Sequence, residues 1–290
     1  MKTVLVISIS SGENEVTDSL LSINCQQMVD FDLIKIKGLS NKAAHQELHD
    51  TVMDNLRRYH YFVKVDGDMV FSSTLTLCQM IKELEKDAQI DHAIFSVLDW
   101  YSQKVIIGMH VFSNRCTWGR LDDRLFTDSS PTIPGIRKFF WDSPSPVALH
   151  SPNPSIMQAF QFGFHRCLKI VQRDRRCPRL RQVRFQYNLI KNVYEQYLIN
   201  PDVRRKAVLY GACEALWSKE KIFESRDHFQ AYERKLHSLT LARCPIDDDI
   251  DRVWGMGKFN FNMLVNRTVF YPWVRKMGCL VYRKVKRILN

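Results

Sequence analysis

The chain has no run of eighteen apolar residues, which argues against a membrane-spanning helix. Its eight cysteines, at positions 25, 78, 116, 167, 177, 213, 244 and 279, include no Cys-x-x-Cys pair. That spacing speaks against a zinc site and against a dense disulfide framework, so a reduced, cytoplasmic setting is the simpler expectation. There is no Gly-x4-Gly-Lys phosphate loop, and no Asp-x-Asp-Gly-Thr follows the first apolar stretch. Acid is scarce in one half only. Residues 1–150 carry 15 Lys and Arg against 19 Asp and Glu, a net of −4, whereas residues 151–290 carry 27 against 12, a net of +15. The two halves therefore face different surroundings or partners.

What is present is globular. The 290 residues are 45% apolar and 25% charged, enough to bury a sizeable core. The opening run Val4 to Ile9 is short, and no small-residue cleavage site precedes Glu13 and Glu15, so it reads as a first buried strand and not as a leader.

The first half alternates strand and helix. Strands are expected at 3–10, 32–37, 61–65, 92–98 and 104–112, and helices at 15–28, 41–58 and 74–88. In the second helix Ala44, Leu48, Val52 and Leu56 recur at every fourth residue, and Gly38-Leu39-Ser40-Asn41 supplies a turn and a cap before it. Such alternation predicts an α/β domain, a mostly parallel sheet with helices on both faces, over residues 1–150. Residues 113–150 are irregular and Pro-rich, with Pro131, Pro134, Pro144 and Pro146, the composition of a functional loop or lid. From 154 onward the spacing is helical, in segments at 154–173, 180–198, 201–217 and 225–239, so residues 151–290 are expected to form a basic helical extension.

The chemistry concentrates after the third strand. Tyr61-Phe62-Val63-Lys64-Val65 runs into Asp66-Gly67-Asp68, which puts two carboxylates at a strand's C-terminal end, where open α/β sheets bind ligands. Two such carboxylates repel each other, and a hard divalent cation bridging to phosphate oxygens relieves that repulsion. Gly67 lets the backbone approach a ligand. The bland alternative is a turn, since Asp-Gly after a strand is ordinary turn chemistry.

This order, with small polar residues ending the first strand, a helix starting near Asn41 and Asp-Gly-Asp closing the third strand, resembles the nucleotide-binding half of a GT-A glycosyltransferase. It is most similar to the family 2 kind that builds bacterial surface polysaccharides, over about residues 1–150. The resemblance implies an enzyme that moves a sugar from a nucleotide-sugar donor to a glycan or lipid-linked acceptor with Mn²⁺ or Mg²⁺. It implies that Asp66 contacts the ribose or shares the metal, that Asp68 coordinates the metal, and that Ser8, Ser10 and Gly12 line the base pocket. It further implies a late His as a metal ligand, for which His150 is the candidate. Asp122-Asp123 stands where an inverting enzyme would keep the carboxylate that removes the acceptor proton. A helix cap is the other reading of either residue.

Other groups carry weaker signals. His45 and His49 are spaced i, i+4 on one helix, and His110 lies inside a strand, where a core or edge role is expected. Arg173, Arg175, Arg176, Arg179, Arg181 and Arg184 form a dense cluster suited to phosphate or carboxylate, or a solvated loop. No stacking aromatics interleave with them, so nucleic acid is not expected as a partner. The last twenty residues hold six basic residues and no acid. As a helix from Trp273 they segregate Trp273, Val274, Met277, Leu280, Val281, Val285 and Ile288 from the cations, the pattern of an interfacial membrane helix, or of a terminal helix docked on its own core. The expectation is thus a cytoplasmic enzyme held peripherally on the inner face of the cell membrane. Two rivals stay open: another metal-dependent nucleotidyl or phosphoryl transferase, and a non-enzymatic basic protein that binds nucleic acid or membrane.

Overall fold

The computed structural model describes residues 3–141, 145–172, 179–217 and 229–255. The chain divides into two compact units, Met1–Ser155 and Ile156–Asn290.

The first unit is α/β. Its strands are β1 (Val4–Ser10), β2 (Phe31–Lys37), β3 (Tyr61–Asp66), β4 (Met69–Phe71), β5 (Ile90–Asp99), β6 (Lys104–Ser113), β7 (Ile136–Phe140) and β8 (Ala148–His150). Its helices are α1 (Val16–Asn24), α2 (Asn41–Asn55) and α3 (Thr76–Glu85). One eight-stranded sheet has the order β2-β1-β3-β6-β5-β8-β4, with β7 also paired to β5. The pairings of β1 with β2 and β3, and of β5 with β7 and β8, are parallel. The pairings of β6 with β3 and β5, and of β4 with β8, are antiparallel. The sheet is therefore mixed, and the wholly parallel, Rossmann-like part is the β2-β1-β3 side.

That side explains its own sequence. The β1-to-β2 and β2-to-β3 crossovers leave in opposite directions from neighbouring positions, so right-handed connections put α1 and α2 on opposite faces of the sheet. With both faces covered, β1 and β3 must be apolar at nearly every position, and Val4 to Ile7 and Phe62, Val63 and Val65 are all buried. On the α2 face, Leu5, Ile7, Ile36 and Phe62 pack on Ala44, Leu48 and Val52 with Phe112. The fourfold repeat seen in α2 is thus its core stripe. β2, an edge strand, shows the alternation of a half-covered strand and carries Asp32, Lys35 and Lys37.

The second unit is helical: α4 (Ile156–Val171), α5 (Leu180–Ile199), α6 (Val203–Trp217), α7 (Gln230–His237) and α8 (Pro245–Trp254). The helix α8 lies beyond the segments expected from spacing; Pro245 opens it, and Asp247 and Cys244 form its capping box. At the centre, α6 buries Lys206, whose Nζ donates to Asp247 Oδ2 at 2.8 Å and to the Ala242 carbonyl at 2.9 Å. The expected C-terminal helix from Trp273, and Arg173, Arg175 and Arg176 of the arginine cluster, fall outside the described residues. Arg179, Arg181 and Arg184 are exposed at the start of α5. Among the described residues no helix is long and apolar enough to cross a membrane.

The backbones of α4 and α6 touch through glycines. A Cβ at Gly163 would sit 1.8 Å from the Val208 carbonyl oxygen, and one at Gly211 would sit 2.1 Å from that of Phe160. Both obstacles are backbone, so relief requires the helices to part. Gly163→Ala should therefore cost roughly 1–3 kcal/mol in denaturant unfolding. Gly119→Ala, where a Cβ meets nothing within 4 Å, should stay within about 0.5 kcal/mol of the parent.

Candidate cation and nucleotide site

β3 aligns with β1 so that Asp66 sits opposite Ile9, and the Gly67 amide donates to the Ile9 carbonyl at 2.7 Å. The turn is held tightly against the end of β1. A Cβ at Gly67 would lie 2.8 Å from both Glu13 Oε2 and Ser10 Cβ, so only glycine fits there. The chain then enters β4 at Met69, which faces His150 of β8, while β8 also aligns His150 with Asp99 of β5. A three-residue strand hydrogen-bonded on both sides thus inserts His150 between two carboxylates from distant parts of the sequence.

The geometry is a relay. His150 Nδ1 lies 2.7 Å from Asp99 Oδ1, and His150 Nε2 lies 3.3 Å from Asp68 Oδ2. Ser151 Oγ donates to Asp68 Oδ2 at 2.9 Å, and the Ser151 amide donates to the Asp68 carbonyl at 2.7 Å. To do both, Ser151 takes a left-handed φ of +49°, uncommon for a residue with a side chain. Asp99 is fully buried and accepts from both the amide and the hydroxyl of Ser102. Burial alone would push His150 down, but the carboxylates of Asp68 and Asp99 outweigh it and hold it up to about 10. Burial alone would push Asp68 up, but His150 and the Ser151 hydroxyl pull it down to about 2. The geometry favours a protonated His150 between the carboxyl groups of Asp68 and Asp99.

Asp66 behaves differently. Burial raises its carboxyl, Lys64 opposes that, and the charges of Asp128 and Asp68 add to it, leaving it pushed up to about 6. The Lys64 ammonium lies 3.3 Å from Asp66 Oδ2 and 2.6 Å from Asp128 Oδ1. Although burial disfavours its charge, the two carboxylates keep Lys64 protonated more firmly than a free lysine.

These residues fit a hard divalent cation. Among the described residues no three His, Cys, Asp or Glu side chains form a preassembled metal cluster. A nucleotide-borne Mg²⁺ or Mn²⁺ needs only one or two protein carboxylates, the rest of its shell being phosphate and water oxygens. Asp66 is raised chiefly by burial, with the charges of Asp128 and Asp68 adding to it, and a cation would offset the part that comes from Asp68. Asp99 anchors Nδ1 and turns Nε2 toward Asp68, the arrangement by which a carboxylate orients a ligating imidazole. Exchange of the imidazolium proton for a metal would leave that orientation intact.

The structure brings Asp66, Asp68 and His150 to one end of the sheet, with Ser8 and Ser10 buried along the end of β1 and Gly12, at φ +94°, in the loop that follows. Asp122 and Asp123 lie in a loop tied to α2 by the bond from the Leu121 amide to Gln46 Oε1. Asp123 Oδ1 accepts from the amides of Leu125 and Phe126, both at 3.0 Å, which is turn capping. His45 and His49 are both buried; His49 stacks on Trp118 at 4.9 Å, and His45 Nδ1 lies 3.5 Å from Asp128. His110 pairs with His92 at 3.0 Å, inside the sheet as its strand position suggested.

Sequence reasoning missed Asp99, Ser151, Lys64 and Asp128. Lys64 had a visible signal, a lone cation within an otherwise apolar strand. Asp99 had a weaker one, an acid at the end of a second buried strand.

No protein-family model and no curated protein sequence matches the chain. Among solved structures, A197 from STIV is 10% identical with a TM-score of 0.28, over 39% of this chain and 65% of that one. Residues 1–349 of S. aureus TarS are 10% identical with a TM-score of 0.36, over 89% and 92% of the two chains. A longer S. aureus TarS structure is 9% identical with a TM-score of 0.36, over 88% and 55%. With every TM-score below 0.5, these likenesses carry no argument about this chain's chemistry.

The relay has a pH signature. His150 is held above its ordinary value of 6.5, so its contribution is complete below about pH 6.5 and is lost as pH rises toward 10. Asp68 is held below its ordinary 3.8, so its contribution is lost only as pH falls toward 2. Between pH 6.5 and 10 the unfolding midpoint of His150→Gln should therefore fall less than that of the parent. Equal slopes in the two proteins would mean that His150 does not carry the extra proton.

Proposed function

We propose that the chain is a metal-dependent glycosyltransferase that moves a sugar from a nucleotide-sugar donor to a lipid-linked or polysaccharide acceptor in surface glycan synthesis. The observation that carries the reading is the Asp66-Gly67-Asp68 turn at the end of β3, with His150 Nε2 aimed at Asp68 and Nδ1 anchored by Asp99. The sequence resemblance is the ground for the reaction class, and the two neighbouring carboxylates of the turn are the ground for a cation.

In this reading Asp68 and His150 hold Mn²⁺ or Mg²⁺, and Asp66 shares the metal or binds the ribose. When bound, the metal neutralises charge that develops on the departing nucleoside diphosphate. The protein's own residues do the rest. Gly67 brings the backbone within reach of the phosphates, because nothing larger than hydrogen fits between it and β1. Ser8, Ser10 and Gly12 border the base. Asp99 keeps the His150 ring in one orientation, so that exchanging its proton for a metal requires no side-chain movement. Asp122 or Asp123 takes the acceptor hydroxyl's proton; of the two, Asp122 suits the role better, since Asp123 Oδ1 already caps two amides. The basic C-terminal residues from Trp273 and the arginines around position 179 meet the membrane surface or an anionic acceptor, which keeps the enzyme peripheral on the cytoplasmic side.

The test is thermal stability against UDP, GDP, CDP, CMP and ADP, each with and without Mn²⁺, for the parent and Asp68→Ala. One nucleotide should stabilise the parent only with metal, by roughly 2.7 kcal/mol at a hundredfold its Kd, and the effect should vanish in the variant. Hydrolysis or transfer of the sugar from the matching nucleotide-sugar then separates a glycosyltransferase from a nucleotidyl transferase. Stabilisation by nothing in the panel would return Asp66-Gly67-Asp68 to the status of a turn.

A further inference from the structure

On the α2 side of the sheet, a buried lysine is shared between the candidate site and a distant loop. Lys64 lies on β3 between Ile7 of β1 and His110 of β6, and its side chain is 5% exposed. Its ammonium reaches two carboxylates, Asp66 Oδ2 at 3.3 Å and Asp128 Oδ1 at 2.6 Å. Asp128 is 49% exposed and belongs to the irregular stretch between β6 and β7. That stretch closes on itself through paired Thr117 and Thr132, whose amides donate to each other's carbonyls at 3.0 and 2.8 Å. Trp118 fixes its base, stacked on His49 of α2 and edge-on to Phe112 of β6 at 5.0 Å. Between these anchors Asp128 returns over the sheet to Lys64, with His45 Nδ1 3.5 Å from the same carboxylate oxygen.

We propose that Asp128 is a positioning residue for Asp66, acting through Lys64, and that occupation of the Asp66-Gly67-Asp68 site by a divalent cation tightens the 114–135 segment onto the sheet. This rests on the cation reading above. Lys64 is the positive charge that Asp66 has when no metal is bound. A divalent cation on the same carboxylate repels the ammonium, which among the described residues also reaches the carboxylate of Asp128. Cation and Asp128 therefore draw Lys64 the same way. The coupling is reciprocal: Asp128 favours the cation by keeping Lys64 off Asp66, and the cation favours the closed segment by giving Asp128 a full counter-charge. Loss of the Asp128 charge lets Lys64 close on Asp66 and compete with the metal.

Mn²⁺ alone, followed by the EPR signal of the free ion, is titrated into the full-length parent, Asp128→Asn and Asp128→Glu. Trypsin cleavage after Arg120 and Arg124 is followed in parallel. We expect Asp128→Asn to bind Mn²⁺ about tenfold more weakly or worse, the size typical of residues that support a ligand, and Asp128→Glu to recover most of the loss. Mn²⁺ should slow cleavage of the segment in the parent and not in Asp128→Asn. A parent that binds Mn²⁺ with a variant that binds it equally well overturns the coupling and leaves the cation reading standing, even if the variant's segment is cut faster. A parent that binds no Mn²⁺, whether alone or with any of the five nucleotides, overturns both.

Discussion

The short strand β8 is the constraint on which the site depends. β5 and β4 are not neighbours, and β8 fills the gap between them with three residues paired on both sides. Through those ladders Asp99, His150 and Asp68, separated by long stretches of chain, fall into one line, and Ser151 bends into a left-handed conformation to complete it. Side-chain chemistry follows from backbone register. An imidazole that titrates near neutrality in water is held up here because the sheet places it between two carboxylates whose effect outweighs its burial.

The opposite side of β3 follows the same rule with other residues. Lys64 is buried like the valines beside it, and Asp66 and Asp128, converging on it, favour its charged form. Around it the histidines respond in the reverse sense. His49 and His110 are both pushed down to about 4, by burial first and by the Lys64 charge second, which Asp128 only partly opposes. The unit thus holds His150 up and His49 and His110 down, and the difference lies in which charges the strands and loops deliver to each buried ring.

The fold was legible where periodicity was long. The fourfold repeat of α2, the continuous apolar runs of β1 and β3 and the helical spacing of α4, α5 and α6 all state their structures locally. β4, β7 and β8 were not legible, because three to five residues cannot display a period and their pairing is set by distant partners. The antiparallel entry of β6 between β3 and β5 was hidden for the same reason: a hairpin and a crossover look alike within a single strand. In the site, Asp66, Gly67 and Asp68 announced themselves by adjacency, and His150 by its place after the irregular stretch. Asp99 and Asp128 could not do so, since their roles exist only once β8 and the 114–135 segment have folded back. Asp123 is conspicuous in sequence as well, and its Oδ1 accepts from two nearby amides, a local contact that spacing does not reveal.

Because β8 is so short, the site has almost no intermediate states. A long strand can fray at one end while its centre stays paired, but three residues laddered on both sides leave little room to fray. If β8 detaches, the link between β5 and β4 goes with it, and Asp68 and Asp99 lose their shared partner in the same event. The centre is thus either whole or dissolved, and the hydrogen exchange of the few amides in β8 and at Ser151 would report its opening as a single cooperative unit.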